Sequence, residues 1–259
     1  MLRFFCYPII FVSLLTTGLA KSLQEVLLEK SPQHRLAHGF DFPVARPDAD
    51  GYYKSRGFRA GGHLGEDWLG DGGSSHSLGL PVFNIGDGVV LLARDVHVAW
   101  GNVVVIRHAY FEAKKVQFVD SLYAHLDRIQ VKEGDTVSRG QQIGTIGNNH
   151  GMYPSHLHFE LHKNLNVGVN HTGFAKTLIN YWVPTDFIVK RRNLPGGPRT
   201  AAFPRTHFDI PSPWSWNRKA HCPLKNRTHG ARTTPKTNSK TGSPSKKINT
   251  HFQVNRYTD

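Results

Sequence analysis

The chain has 259 residues, and its 32 Lys and Arg against 19 Asp and Glu give a formal net charge of +13. The charge is uneven: residues 21–190 hold 17 basic and 17 acidic residues, whereas residues 191–259 hold 14 basic and 2 acidic. The two cysteines, Cys6 and Cys222, exclude a thiolate zinc cluster, so a metal site in this chain must use His and carboxylate ligands.

The first segment, MLRFFCYPIIFVSLLTTGLAKS, has the pattern of an export signal. Arg3 gives a basic start, an apolar run follows, and small residues end at Ala20. We predict a signal peptide over residues 1–20, and hence an exported chain in the periplasm or the extracellular cell envelope. The alternative is an uncleaved membrane anchor, although the apolar run is short of the roughly 20 residues that span a bilayer. Removal of the segment also removes Cys6, so the mature chain forms no internal disulfide.

The remaining sequence divides into three parts. Residues 21–57 contain Pro and Gly and are predicted to be an extended lead-in. Residues 58–190 contain short runs of Val, Ile and aromatic residues between Gly-Asp and Gly-Asn turns, and no sustained helical period. They predict a mostly β domain, an antiparallel β sandwich or partly open barrel.

Residues 191–259 are basic, of low complexity and rich in Pro, Ser, Thr and Gly, and we predict that they are disordered. Three interpretations of this tail stay open: a solvated linker, a segment that binds anionic wall polymer or lipid head groups, or a poorly constrained or mistranslated end. Nucleic acid is not expected as a partner because the chain is exported. We expect a monomer.

The segment HLHFEL is predicted to be a strand. Alternate residues of a strand share a face, so His156, His158 and Glu160 would lie together. Two neighbouring imidazoles make one edge of a metal site or an acid/base pair. The alternative is a pair of half-exposed strand histidines.

A second candidate pair is His63 and Asp67 in GGHLGEDW, where the glycines argue against a regular helix. Two His and one carboxylate bind zinc and leave one position open, as catalytic sites do, and zinc lowers the pKa of its water to near 7. His125 in LYAHL supplies a further imidazole that titrates near neutral pH and can act as an acid or base.

These three motifs, in this order, resemble the M23 (LytM/lysostaphin-type) zinc metallopeptidases over about residues 61–161. The text between them, including GDGVV, GNVVVIRH and VKEGDTVSRGQQIGTIGN, is also similar to that family. The resemblance implies one Zn²⁺ per chain held by His63, Asp67 and His158. It also implies that His125 and His156 are catalytic histidines beside the metal.

The resemblance implies a secreted endopeptidase that hydrolyses peptide cross-links of bacterial peptidoglycan, with zinc-bound water attacking the scissile carbonyl. Its partners would be peptidoglycan peptide stems, bound in a narrow groove on an antiparallel β fold. Tyr123, His150 and Tyr153 are candidates to line that groove, and for Tyr123 the alternative is simple packing. Members often carry Gly-Pro just before the H-x-H motif, whereas this chain has the larger loop NNHGMYPS.

Two other functions are alternatives to hydrolysis. One is a non-catalytic member of the same family that binds peptidoglycan or activates another hydrolase, although all five site positions are intact here. The other is a lipoyl-like carrier barrel, which lacks its modifiable lysine because Ser138-Arg139 stands at the turn.

Overall fold

The computed structural model describes residues 32–204 and residue 206. The predicted signal segment, residues 21–31 of the lead-in, and the tail from residue 207 lie outside the described residues, as do Cys6 and Cys222. No helix in the described part is both long and apolar enough to cross a membrane.

The described part of the chain is mostly β, as the sequence predicts. Its helices are short: a π-helical turn (Ala45–Ala49), α1 (Ser74–Ser77) and α2 (Pro184–Lys190). Its strands, in chain order, are β1 (Gln33–Arg35), β2 (Tyr52–Arg56), β3 (Glu66–Gly70), β4 (Pro81–Phe83), β5 (Gly88–Asp95), β6 (Asn102–Glu112), β7 (Lys115–Ile129), β8 (Thr136–Val137), β9 (Gln142–Ile146), β10 (Leu157–His162), β11 (Tyr181–Trp182) and β12 (Thr200–Ala202).

Ten of these strands form one open sheet, in the order β2-β3-β10-β7-β6-β5-β8, with β11 beside β10 and β9 joining β7 to β4. Every strand pair in it is antiparallel. The central strands β6 and β7 form a hairpin across Glu112 and Lys115. Both strands are rich in Val, Ile and aromatic residues, which favour a pleated, buried surface.

The two faces of the sheet bury different apolar clusters. One face carries Tyr123, Phe159 and Ile106 in the larger core, and the other carries Leu122 and Val105 in a smaller one. This separation follows from the alternation of side chains along each strand. It places His158 on the opposite face of β10 from its neighbour Phe159.

The folded unit extends beyond both predicted boundaries of the peptidase domain. In the predicted lead-in, Phe40 is fully buried against Tyr110 and Phe187. In the predicted tail, β12 pairs with β1, and Phe203 is buried. Residues on both sides of the predicted limits of 58 and 190 therefore pack against the central strands and cover apolar surface that those strands would otherwise expose.

A β-bulge interrupts the pairing of β6 and β7 next to the site. Asn102 pairs with Leu126 and Val104 with Tyr123, so β7 contains one residue more than β6 over this interval. His125 lies within it at a φ of 62°, in the left-handed region that non-glycine residues rarely occupy. Bulges of this kind redirect a side chain, and here the redirected side chain is an imidazole.

Candidate metal centre

Three predicted ligands converge on one point. Asp67 on β3 and His158 on β10 face each other as a register pair, and His63 lies in the loop before β3. Asp67 Oδ1 is 2.8 Å from His158 Nδ1 and 3.0 Å from His63 Nε2, and these two nitrogens are 3.0 Å apart. All three residues are buried. Imidazole nitrogens and a carboxylate oxygen at these distances could hold a metal ion.

The outer contacts of the two histidines decide which nitrogens carry protons. His63 Nδ1 lies 3.0 Å from the carbonyl oxygen of Gly57, and a carbonyl only accepts. His158 Nε2 lies 2.8 Å from Glu160 Oε1. Burial raises the pKa of Glu160, but the electrostatic interaction with His171 and the hydrogen bonds from His158, His162 and His171 outweigh it and hold the pKa well below its usual range. Glu160 is therefore an acceptor as well.

It follows that each neutral imidazole donates outward and turns a bare nitrogen inward. His63 Nε2, His158 Nδ1 and Asp67 Oδ1 are then three electron-pair donors within 3.0 Å of one another. Three such atoms repel unless a cation or a proton lies among them. The donor set thus fits a divalent metal, and Glu160 holds His158 in the tautomer that a metal requires.

Without a metal, a proton serves as that cation. Burial lowers the pKa of His158, but hydrogen bonds and charges from Asp67 and Glu160 outweigh it and raise the pKa to about 9. Burial likewise raises the pKa of Asp67, and the hydrogen bonds from His158 and His63 reverse this and hold it below its usual range. Metal and proton therefore compete for the same atoms.

Two further imidazoles lie beside these three residues. The ring of His125 is 4.8 Å from that of His156 and 5.6 Å from that of His158. His156 Nε2 lies 3.8 Å from Asp67 Oδ1. Each ring donates its Nδ1 proton to a backbone carbonyl, His125 to Trp100 at 3.0 Å and His156 to Pro154 at 2.7 Å. Each neutral ring therefore presents a bare Nε2.

His125 is held in its neutral form. Burial, followed by the neighbouring charges of His158 and His156, lowers the pKa of His125 to about 3, although the Trp100 carbonyl and Asp67 act in the opposite direction. Its Nε2 is thus an acceptor across the neutral pH range. This is the state that a general base needs.

The three candidate groove residues differ in their burial and in their distance from the site. The ring of Tyr153 lies 5.0 Å from that of His125, and the side chain is half-buried beside the site. His150 is exposed, and its Nε2 lies 2.9 Å from Asp95 Oδ2. For Tyr123 the groove prediction is wrong, because its ring is fully buried against Phe159. The bulge at His125 breaks the alternation that would have put Tyr123 and His125 on one face.

Tyr123→Phe tests that correction. The Tyr123 hydroxyl accepts the amide proton of Ile85 at 3.2 Å in the core. Its loss leaves a buried donor unpaired, so we expect a decrease of about 1–3 kcal/mol in the free energy of unfolding. Denaturant titration measures that change. KM for any cleaved peptide should stay the same, and a raised KM at unchanged stability would restore the groove role.

Sequence reasoning missed several residues around the site. Trp100 anchors His125 through its carbonyl, and its ring lies 5.8 Å from His158 and 5.1 Å from His171. His162 and His171 have no role in the sequence-based prediction, yet both contact Glu160. The period of two along β10 could have indicated His162, because it shares the face of His158 and Glu160.

The comparisons with known proteins agree with this geometry. The model of peptidase family M23 matches residues 62–170, a range that includes the three converging ligands, His125 and His156. Lipoprotein NlpD of Yersinia enterocolitica is 33% identical over 87 residues, which are 33% of this chain and 79% of that protein. The chain belongs to peptidase family M23.

Other relatives include proteins named as peptidoglycan endopeptidases and as activators of murein hydrolases. Peptidoglycan DD-endopeptidase ShyA of Vibrio cholerae is 44% identical over 84 residues, 32% of this chain and 18% of ShyA. Murein hydrolase activator NlpD of Escherichia coli is 33% identical over 107 residues, 40% of this chain and 24% of that protein. Among solved structures, a zinc-containing peptidase from Vibrio cholerae has 32% identity and a TM-score of 0.35, covering 48% of this chain and 37% of that one.

These similarities concern one part of each protein. The chain spans about a fifth of the length of the first curated relatives that it matches. The M23 match itself leaves the segments before residue 62 and after residue 170 uncovered.

Proposed function

We propose that this chain is an exported zinc metalloendopeptidase that hydrolyses peptide cross-links of bacterial peptidoglycan. One observation carries the proposal: three ligand atoms within 3.0 Å of one another lie next to two imidazoles that each present a bare Nε2. A metal site alone needs no such pair. Hydrolysis of an amide needs a group that takes the proton of water and a group that stabilises the oxyanion.

Under this proposal each side chain has a defined task. His63, Asp67 and His158 hold the ion, and Glu160 keeps the His158 proton on Nε2. When bound, zinc supplies Lewis acidity, which polarises the scissile carbonyl and lowers the pKa of water. His125 is neutral and accepts the water proton at Nε2. His156 Nε2 lies 3.8 Å from Asp67 Oδ1, beside the ligands, and it would donate to the oxyanion once that nitrogen takes up a proton.

A second function has a specific observation in its favour. One relative, NlpD of Escherichia coli, is named as an activator of murein hydrolases. This chain would then bind a partner hydrolase or peptidoglycan and leave the cleavage to that partner. The two functions differ in what they require of the site, because activation needs neither metal nor the Nε2 atoms of His125 and His156.

The experiment that separates them is digestion of purified peptidoglycan by the purified chain loaded with one or more equivalents of zinc. Mass spectrometry of the released muropeptides identifies the bond. ShyA is named a DD-endopeptidase. We propose D-alanyl to diaminopimelate links as the substrate, and sacculi with glycine bridges are the comparison. We expect soluble cross-link fragments that disappear on chelation and return with zinc.

The same preparations test the alternative directly. An activator releases nothing by itself but increases the release by an added murein hydrolase, with or without chelator. Fragment release that persists undiminished after complete removal of zinc contradicts the metallopeptidase. Size-exclusion chromatography of the same samples tests the expected monomer, and N-terminal sequencing of secreted material tests the cut after about Ala20.

A further inference from the structure

A second cluster of potential ligands lies behind His158. Glu160 and His162 are on β10, and His171 is in the loop that follows. Glu160 Oε2 is 2.7 Å from His162 Nε2 and 3.1 Å from His171 Nε2. The three atoms lie within 4.8 Å of one another. Glu160 and His162 are buried, and His171 has 17% of its side chain exposed.

This cluster has the donor set and spacing of the first site. Each contains two imidazoles and one carboxylate, a combination that binds zinc. The separations from the carboxylate oxygen are 2.8 and 3.0 Å in the first site and 2.7 and 3.1 Å in the second. Zinc bonds of about 2.0–2.2 Å therefore require similar small outward movements of the ligands in both.

Two buried polar atoms beside the cluster have no hydrogen-bond partner. They are His162 Nδ1 and the hydroxyl of Tyr181, whose ring lies 5.3 Å from that of His162 and 5.7 Å from that of His171. Tyr181 is fully buried in an apolar cluster with Leu64 and Val167. An unpaired hydroxyl such as that of Tyr181 is rare in an apolar interior and points to a nearby ion or water.

We propose that Glu160, His162 and His171 form a second divalent-metal site of the zinc type. Glu160 then joins the two sites, since its Oε1 accepts the His158 Nε2 proton while its Oε2 binds the second ion. The partly exposed edge of His171 gives the ion its route from solvent. A water on this ion gives the Tyr181 hydroxyl a partner.

The second ion has a positioning role. It fixes the orientation of Glu160, and through Glu160 the ring of His158, whose Nδ1 belongs to the first site. Under the proposed peptidase function, on which this role rests, the attacked peptide would lie beside His125 and His156. The second ion therefore contributes through the first site and does not contact substrate.

Metal stoichiometry tests the proposal without reference to activity. The metal-free full-length chain is titrated with Zn²⁺ alone by calorimetry, and the bound metal is counted after gel filtration by elemental mass spectrometry. We expect two equivalents in the wild type, one in His171→Gln and one in Asp67→Asn. The double variant should retain none.

The matched control is His76→Gln, an exposed histidine on α1 that contacts neither cluster. It should bind two equivalents, as the wild type does. Circular dichroism verifies that each variant is folded, and His162→Gln replaces His171→Gln if that chain is not. Saturation of the wild type at one equivalent overturns the second site, as does a His171→Gln chain that still binds two. If the wild type instead binds an ion at the second site but none at the first, the proposed peptidase is contradicted.

Discussion

Asp67→Asn is expected to abolish hydrolysis and to weaken zinc binding more than any other single isosteric change in the chain. The substitution keeps the volume of the side chain but removes the negative charge that faces both His63 Nε2 and His158 Nδ1. Loss of a residue that only supports a ligand costs about 10–100-fold in metal affinity, so loss of the ligand itself should cost more than about 100-fold. Competition with a chromogenic chelator measures the affinity.

The pH dependence of zinc binding gives the same prediction a second readout. In the metal-free wild type the pKa of His158 is raised to about 9, so below pH 9 zinc must displace a proton. Affinity should therefore rise about tenfold per pH unit up to pH 9 and then level off. Asp67→Asn removes one of the two hydrogen bonds that retain this proton, so the levelling should move to lower pH.

Two other isosteric variants provide references for the loss of zinc affinity in Asp67→Asn. Asp127→Asn changes an exposed carboxylate two residues beyond His125 that pairs with Arg128, and it should leave zinc affinity unchanged. Glu160→Gln keeps the three ligands of the first site but loses the anchor of His158, so the loss of affinity at the first site should stay within about 10–100-fold. If Asp67→Asn binds zinc as Glu160→Gln does, the carboxylate is not a ligand.

The strand period explains why part of this site was predictable from sequence. Side chains two apart on β10 share a face, and His158 and Glu160 are indeed bonded to each other. The same rule extends to His162, which completes the contact with Glu160. The absence of paired cysteines left His and carboxylate as the available ligands. The identity of the ligands thus depends on local rules that a sequence displays.

The position of His125 depends on a feature that the sequence does not display. Strict alternation puts His125 on the face of Tyr123, inside the core. The bulge adds one residue to β7, and a φ of 62° turns the imidazole toward His158. Bulges arise where pairing with a neighbouring strand goes out of step, and so they depend on the partner as well as on the segment itself.

The packing of the outer segments could not be predicted from sequence for a similar reason. β1 and β12 are each three residues long, and neither has an apolar run that marks it as part of a domain. They pair only with each other, from opposite ends of the described chain. Composition indicated a linker and a tail, whereas the burial of Phe40 and Phe203 depends on surfaces formed by the central strands.

His125→Gln is expected to retain zinc and to lose about 10²–10⁴-fold in kcat, the usual contribution of a positioned general base. Glutamine can still donate to the Trp100 carbonyl, but it has no nitrogen lone pair to accept the water proton. Because the pKa of His125 is lowered to about 3, the ring is already neutral above that pH. The acid limb of the wild-type rate near neutral pH therefore belongs to other groups, and the variant should show the same limb at a lower rate.

A double variant tests whether His125 and His156 act in the same step of hydrolysis. If one accepts the proton while the other stabilises the oxyanion of the same step, the double variant His125→Gln/His156→Gln should be hardly slower than the worse single variant. Independent roles would multiply the two losses. His97→Gln, which changes an exposed histidine bonded to Asp95, is the matched control and should keep full activity. A His125→Gln chain that loses zinc along with activity would make His125 a support for the metal, because a base can be removed without releasing the ion.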